Sequence, residues 1–154
     1  MAPRERFLGR EINYTRGKFF IDTNILVYAY DSSAGKKWKA SSEIVSILWT
    51  HRTGILSTQV LQELFVSLTQ KVKNTIFPET AREIISSLLH WPLVVNDGKN
   101  ILRAIDLQLK YQFSFWDSLI LQAAIISKAE FLLSEDFRHE QVIESVIVLN
   151  PFSE

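Results

Sequence analysis

The sequence predicts a three-layer α/β/α domain built on a mostly parallel central sheet. Two observations carry that expectation. Short β-rich runs alternate with longer helical patterns along nearly the whole chain. The length, 154 residues of which 47% are apolar and 22% charged, suits one domain around one core. The sequence holds no repeats, low-complexity tract or internal linker.

Residues 1–17 carry four arginines against two glutamates with little apolar periodicity, and read as a flexible arm or extension ahead of a single domain over 18–154. Lys18 to Ile21 is a β-rich run ending at Asp22, and Ile25 to Tyr28 begins a short helix that Asp31-Ser32-Ser33-Ala34-Gly35 breaks. From Lys36 to His51 the residues Trp38, Ile44, Val45, Leu48 and Trp49 recur at helical spacing. Gly54 to Ser57 is a second strand. Ser57 or Thr58 caps a helix with the stripe Leu61, Leu64, Phe65, Leu68 and Val72. Pro78 suits the first turn of a helix reaching about His90.

Leu93-Val94-Val95 is a third strand, Asp97 an N-cap, and Ile101, Leu102, Ile105 and Leu109 the apolar stripe of the helix that follows. Ser114, with Asp117 three residues on, opens a helix from Phe115 to Lys128 as a variant capping box. Phe131 to Ser134 and Val146 to Leu149 are the last strands, and Pro151 closes the pattern.

Charge and cysteine content narrow the function. Seventeen basic residues cancel seventeen acidic ones, so a polyanion would have to be gripped locally. Zero cysteines exclude disulfides, thiolate zinc sites and cysteine nucleophiles. Asp22 cuts short the run Phe19-Phe20-Ile21, so no export signal is expected, and the longest uncharged apolar stretch, Ser118 to Ser127, is far below the roughly 20 residues of a membrane span. A soluble, cytoplasmic protein without membrane contact is the expectation.

In a parallel sheet the chain leaves each strand at its carboxyl edge, so acids just after strands, or opening a returning helix, share one crevice. Asp22, Glu63, Asp117 and Asp136 all meet that condition. Each also has a plain structural reading: Asp22 as an N-cap, Glu63 on a solvated helix face, Asp136 as a turn acid, Asp117 as a cap. Asp117 stands out, because at 100° per residue it shares its side with Ile120, Leu121 and Ala124. A carboxylate on a buried face costs several kcal/mol unless a cation, hydrogen bonds or a proton compensates.

Grouped carboxylates without an interposed cation repel one another. Oxygen ligands with no cysteine, and with His51, His90 and His139 scattered, suit Mg²⁺ or Mn²⁺ rather than zinc. Such an ion in a carboxylate cup handles phosphates, which makes phosphodiester hydrolysis the leading chemistry. Lys36, Lys37, Lys39, Arg52, Lys71 and Lys73 are candidates for contact with a nucleic acid, although each also reads as a solvated helix residue. Trp38 and Trp116 are candidates to stack on unpaired bases, with core packing the commoner role.

With these residues placed, the chain resembles a PIN domain, and within that family the VapC-type toxin ribonucleases of prokaryotic toxin–antitoxin pairs. The resemblance runs from about Phe19 to Pro151. It rests on Phe20-Ile21-Asp22-Thr23-Asn24, Ser57-Thr58-Gln59-Val60-Leu61-Gln62-Glu63, Phe115-Trp116-Asp117-Ser118 and Leu133-Ser134-Glu135-Asp136-Phe137. It implies a Mg²⁺- or Mn²⁺-dependent endoribonuclease with Asp22, Glu63, Asp117 and Asp136 holding the metal and Asn24 and Ser134 in support. It also implies a homodimer and an antitoxin partner. Ser134 stands where relatives often have threonine, which keeps the hydroxyl.

Two rival readings remain. A non-catalytic RNA-binding or protein-interaction domain could use the same scaffold, since fold alone does not secure activity. An aspartyl-nucleophile phosphatase would want a second acid two residues beyond Asp22, where Asn24 stands.

Overall fold

The structure is a computed structural model that describes residues 6–7 and 10–153. Its centre is a six-stranded sheet formed by β3 (Phe19–Ile21), β4 (Gly54–Ser57), β5 (Leu93–Val94), β6 (Phe131–Leu133), β7 (Val142–Ile143) and β8 (Val146–Leu149), in the order β5-β4-β3-β6-β8-β7. Every pairing is parallel except that of the edge strand β7 with β8. A separate two-stranded ribbon joins β1 (Arg6–Phe7) to β2 (Arg10–Glu11).

The helices are α1 (Thr23–Tyr30), α2 (Lys36–His51), α3 (Thr58–Val66), α4 (Pro78–Leu88), α5 (Gly98–Tyr111) and α6 (Phe115–Ile126). A 3₁₀ turn at Ser32–Ala34 joins α1 to α2, and a π-helical turn at Ser67–Lys71 extends α3. The connections β3 to β4 to β5 step one way across the sheet, and β5 to β6 steps back over it. Right-handed crossovers therefore put α1–α4 on one face and α5–α6 on the other, which is the expected three-layer arrangement. Among the described residues no helix is long and apolar enough to cross a membrane.

Local chemistry starts the helices where the sequence reading placed them. The side chains of Asp22, Ser57, Asp97 and Ser114 accept hydrogen bonds from the backbone N–H groups of Thr23, Val60, Asn100 and Asp117. Each satisfies a donor that the first helical turn leaves without an intrahelical partner. The central strand β3 is wholly buried, with Phe19 stacked on Phe131 at 5.0 Å between ring centroids.

Three expectations change. Residues 12–17, read as part of an arm, are tied to the domain: Tyr14 is buried in the core, tilts against Phe19, and its carbonyl accepts a 2.7 Å hydrogen bond from Thr53 Oγ1. Helix α5 buries Asn100, Ala104 and Leu107, and its apolar residues Leu102, Ile105 and Leu109 face outward. The expected stripe therefore lies on the wrong side: α5 meets the buried stretch of α6, Ser118 to Ala124, on the side of Asn100, Ala104 and Leu107, with Gln122 Nε2 3.5 Å from Asn100 Oδ1. Of the apolar residues expected to face inward from α2, Trp38 and Trp49 are exposed whereas Ile44, Val45 and Leu48 are buried.

Gly54 opens β4 directly beneath the Trp91 indole, and a Cβ there would lie 2.2 Å from a ring carbon. Trp91 has little freedom to retreat, being buried and packed on Trp49 at 5.4 Å between ring centroids. Gly54→Ala is expected to destabilise the fold by about 1–3 kcal/mol, as overpacked cores do. A urea melt matching that of the unsubstituted chain would show that the indole moves aside freely.

Candidate functional site

The chain leaves β3 toward one side of the sheet and β6 toward the other, so their carboxyl ends flank a topological switch point, the place where open parallel sheets form a crevice. A cleft of about 300 Å³ opens there, and its lining includes Asp22, Glu63, Asp117 and Asp136. The four acids come from the β3–α1 junction, the second turn of α3, the first turn of α6 and the loop after β6. Asn24 also lines the cleft, as do Thr23, Tyr28, Gln59 and Trp116.

Asp22 forms the floor. Only 4% of it is exposed, its Oδ1 accepts the Thr23 backbone N–H at 2.7 Å, and its Oδ2 accepts the Ser134 hydroxyl at 2.7 Å. The same Ser134 oxygen accepts the Asp136 backbone N–H at 3.0 Å. Ser134, itself fully buried at the end of β6, thereby ties Asp22 to the Asp136 loop across the switch point. Its hydroxyl both donates and accepts, which only a serine-like side chain does in so little space.

Burial pushes the Asp22 carboxyl up to about 7, against the pull of its Ser134 and Thr23 hydrogen bonds, and the charges of Asp136 and Asp117 add to the rise. Burial also raises Glu63; Gln59, Thr23 and the Lys71 ammonium pull it down, and Asp117 repels it. Asp136 is raised by burial, then by Asp117 and Glu135, with Asn24 opposing. Burial is the first cause at all three carboxyls, and at each another acid of the cleft adds to the rise.

The burial expected for Asp117 belongs instead to Asp22. Asp117 is partly exposed at the cleft wall, because its position in the first turn of α6 leaves it beyond the packed section that starts at Ser118. Glu63 and Asp136 are solvent-accessible at the rim.

Around the acids, Gln59 Oε1 is buried without a hydrogen-bond partner, and Thr23 Oγ1 and the Asn24 amide, which pull Glu63 and Asp136 down, make no hydrogen bond of good geometry. Buried polar atoms of this kind are uncommon and mark places where water or an ion completes the network. An all-oxygen acidic set with neutral amide and hydroxyl groups beside it suits a hydrated hard dication. Among the described residues, no three acidic or histidine side chains are drawn together closely enough to hold an ion as they stand. Mutual repulsion keeps uncompensated carboxylates apart, so such a shell is expected to close only around positive charge.

The basic candidates divide. Lys37 lies beside the cleft, its Nζ 2.9 Å from Glu135 Oε2 and 3.5 Å from the hydroxyl of Tyr28, which itself donates to Glu135 Oε1 at 2.5 Å. Lys36 and Lys39 are exposed on the same end of α2. Arg52 is at the wrong end of the molecule for this cleft: it precedes β4 and lines a separate pocket with Trp49, His90 and Trp91, at the amino edge of the sheet. The sequence reading missed Tyr28, treated as an apolar helix residue, and Gln59. A signal for Gln59 was present, since it precedes Glu63 by four residues and so shares its helix face.

The family model for the PIN domain matches residues 19–144, most of the chain. The chain belongs to the PIN domain family. No curated protein matches this PIN domain by sequence. Among solved structures it resembles a toxin–antitoxin complex from Klebsiella pneumoniae, with a TM-score of 0.64 and 17% identity over 89% of this chain and 100% of that one. VapBC2 from Rickettsia felis, bound to a DNA fragment from its promoter, gives 0.60 and 21% over 84% and 96%. VapC20 of Mycobacterium tuberculosis, a toxin that cleaves the sarcin–ricin loop, gives 0.59 and 13% over 77% and 92%. At these identities the likeness shows that the PIN fold is shared.

Proposed function

We propose that this PIN domain is a Mg²⁺- or Mn²⁺-dependent endoribonuclease that hydrolyses RNA phosphodiester bonds as the toxin of a toxin–antitoxin pair. The observation that carries the reading is the convergence of Asp22, Glu63, Asp117 and Asp136, from four separate parts of the chain, on one cleft at the switch point. These four are the metal-holding residues of the proposal. Structural roles alone explain one acid at a time; they do not explain why all four share a cleft with no lysine or arginine in its lining.

A bound dication there supplies a water activated for attack and charge stabilisation on the phosphate. The chain's own groups do the positioning. Thr23 N–H and Ser134 Oγ fix both oxygens of Asp22, Ser134 also holds the Asp136 backbone, and Asn24 lies close enough to Asp136 to favour its charged form. The test is cleavage of RNA by the purified chain with added Mg²⁺ or Mn²⁺ and again in chelator. Cleavage only with metal is expected, and no cleavage in either metal would overturn the proposal.

The same reading includes an antitoxin and a second copy of the chain as partners. Its support is that two of the similar structures are toxin–antitoxin assemblies, and that α5 leaves Leu102 65% and Leu109 70% exposed with Ile105 between them. A contiguous apolar stripe of this kind marks an interaction surface. We assign it to the homodimer. Sedimentation of the wild type as a dimer and of Leu102→Glu/Leu109→Glu as a monomer is the expected result; a monomeric wild type would refute the assignment.

A further inference from the structure

The cleft presents a difficulty for any polyanionic substrate. Among its described lining residues are four acids and no lysine or arginine; Lys37 beside it is paired with Glu135, and Lys71 acts on Glu63 from outside the lining. Coulomb attraction from the cleft itself therefore supplies little of the grip on a nucleic acid strand. The wall offers another kind of contact. Trp116 lines the cleft one residue before Asp117 and is 62% exposed, although its large apolar ring ordinarily finds burial.

Its placement is firm as well as exposed. Trp116 sits in the first turn of α6, which Ser114 caps, and its backbone carbonyl accepts a 3.3 Å hydrogen bond from Gln59 Nε2 on the opposite wall. Phe115 packs against the indole edge to face at 5.2 Å between ring centroids. A flat aromatic face held beside a carboxylate cup fits a nucleobase better than it fits a core role.

We propose that Trp116 is a nucleobase platform, stacking the base of a nucleotide next to the phosphate held at the acids. The inference rests on the nuclease reading and adds to it the residue that holds the base. A base in a duplex is stacked on both faces by its neighbours and cannot lie on the indole without first being unstacked. Stacking tolerates every base, so the platform leaves sequence to other contacts.

The test is a binding measurement independent of cleavage. A fluorescein-labelled single-stranded RNA, the same strand with abasic positions, and a perfect RNA duplex are titrated against chains carrying Asp136→Asn to suppress cutting. In that background Trp116→Ala is expected to weaken single-strand binding roughly tenfold to a hundredfold, the usual loss of one base-stacking partner. Trp116→Phe should restore most of it, and the abasic strand should bind the parent and the alanine variant alike. The duplex should bind weakly to all three. Equal single-strand affinity for parent and Trp116→Ala overturns the platform, as does duplex affinity matching that of the single strand.

Cleavage by the chain with Asp136 restored separates the two claims. If Trp116→Ala cuts RNA with unchanged kcat and KM, the nuclease reading stands and the platform falls. If binding depends on Trp116 but no strand is cut, the platform stands and the nuclease reading falls. Absence of any RNA binding defeats both. The Gln59 hydrogen bond reaches only the backbone of residue 116, so the variants keep the helix end in place; matching circular-dichroism melts verify this.

Discussion

On the proposed function, Asp22→Asn and Asp117→Asn are each expected to lower metal-dependent RNA cleavage by on the order of a hundredfold or more, while the neutral side chains keep the helix start intact. Asn is as good an N-cap as Asp, so position 22 still accepts the Thr23 N–H, and position 117 is capped by Ser114 whatever its own side chain. What each substitution removes is one negative oxygen donor from a cleft whose other groups cannot replace it. Initial rates on a single-stranded RNA in saturating Mn²⁺ measure the effect. Rates within twofold of wild type for both variants would show that these carboxylates take no part in the chemistry.

In chelator, Asp22→Asn has the opposite consequence for the fold, and the size of the effect depends on pH. The Asp22 carboxyl titrates near 3.8 when exposed and near 7 in the folded chain. Between those values the folded state holds the proton more tightly than the unfolded state, so stability from this group is full below about pH 4. It declines as pH rises and is lost once pH passes about 7. At 1.36 kcal/mol per pKa unit the whole decline amounts to a few kcal/mol at most.

An amide at position 22 does not titrate. The variant is therefore expected to gain on wild type through this window, with the difference in melting temperature growing from pH 4 to pH 7 and level above it. Part of the gain is offset because Ser134 loses the acceptor for its proton. Glu63 and Asp136 are raised in the same direction but are accessible to solvent, so screening makes their share small. Added Mn²⁺ should narrow or reverse the difference, since only the wild type retains the full acid set. A difference in melting temperature that does not change with pH would show that Asp22 is ionised at little cost.

The sequence reading located this same energetic burden at Asp117, whose wheel position beside Ile120 and Leu121 pointed inward. Both neighbours are buried as expected, yet Asp117 is partly open, because a first-turn residue at a sheet edge faces the crevice rather than the layer below. Asp22 carries the burden instead. It lies where the central strand ends, with β4 on one side of that strand and β6 on the other. Nothing within four residues of Asp22 distinguishes it from an ordinary N-cap, a role that it also fills.

Similar reasoning accounts for α5, Arg52 and Trp116. Leu102, Ile105 and Leu109 have helical spacing, but spacing alone does not say which of two faces meets α6. Arg52 is two residues from a strand, yet at the end where the chain enters the sheet, opposite the acids. Trp116 has the composition of a core residue and is left in the open by a helix that packs only from its second turn onward.

From the sequence alone came the alternation of strands and helices, the caps at Asp22, Ser57, Asp97 and Ser114, and the four acids at chain positions that a parallel sheet gathers to one edge. These depend on interactions within a turn of helix or on the direction in which strands run, and both are written locally. Which acid is buried, which helix face stays bare and which aromatic side chain meets the cleft were settled only by the order β5-β4-β3-β6-β8-β7. That order arises from crossovers joining residues far apart in the chain, so burial at any one site is a property of the assembled layers and not of its neighbours in sequence.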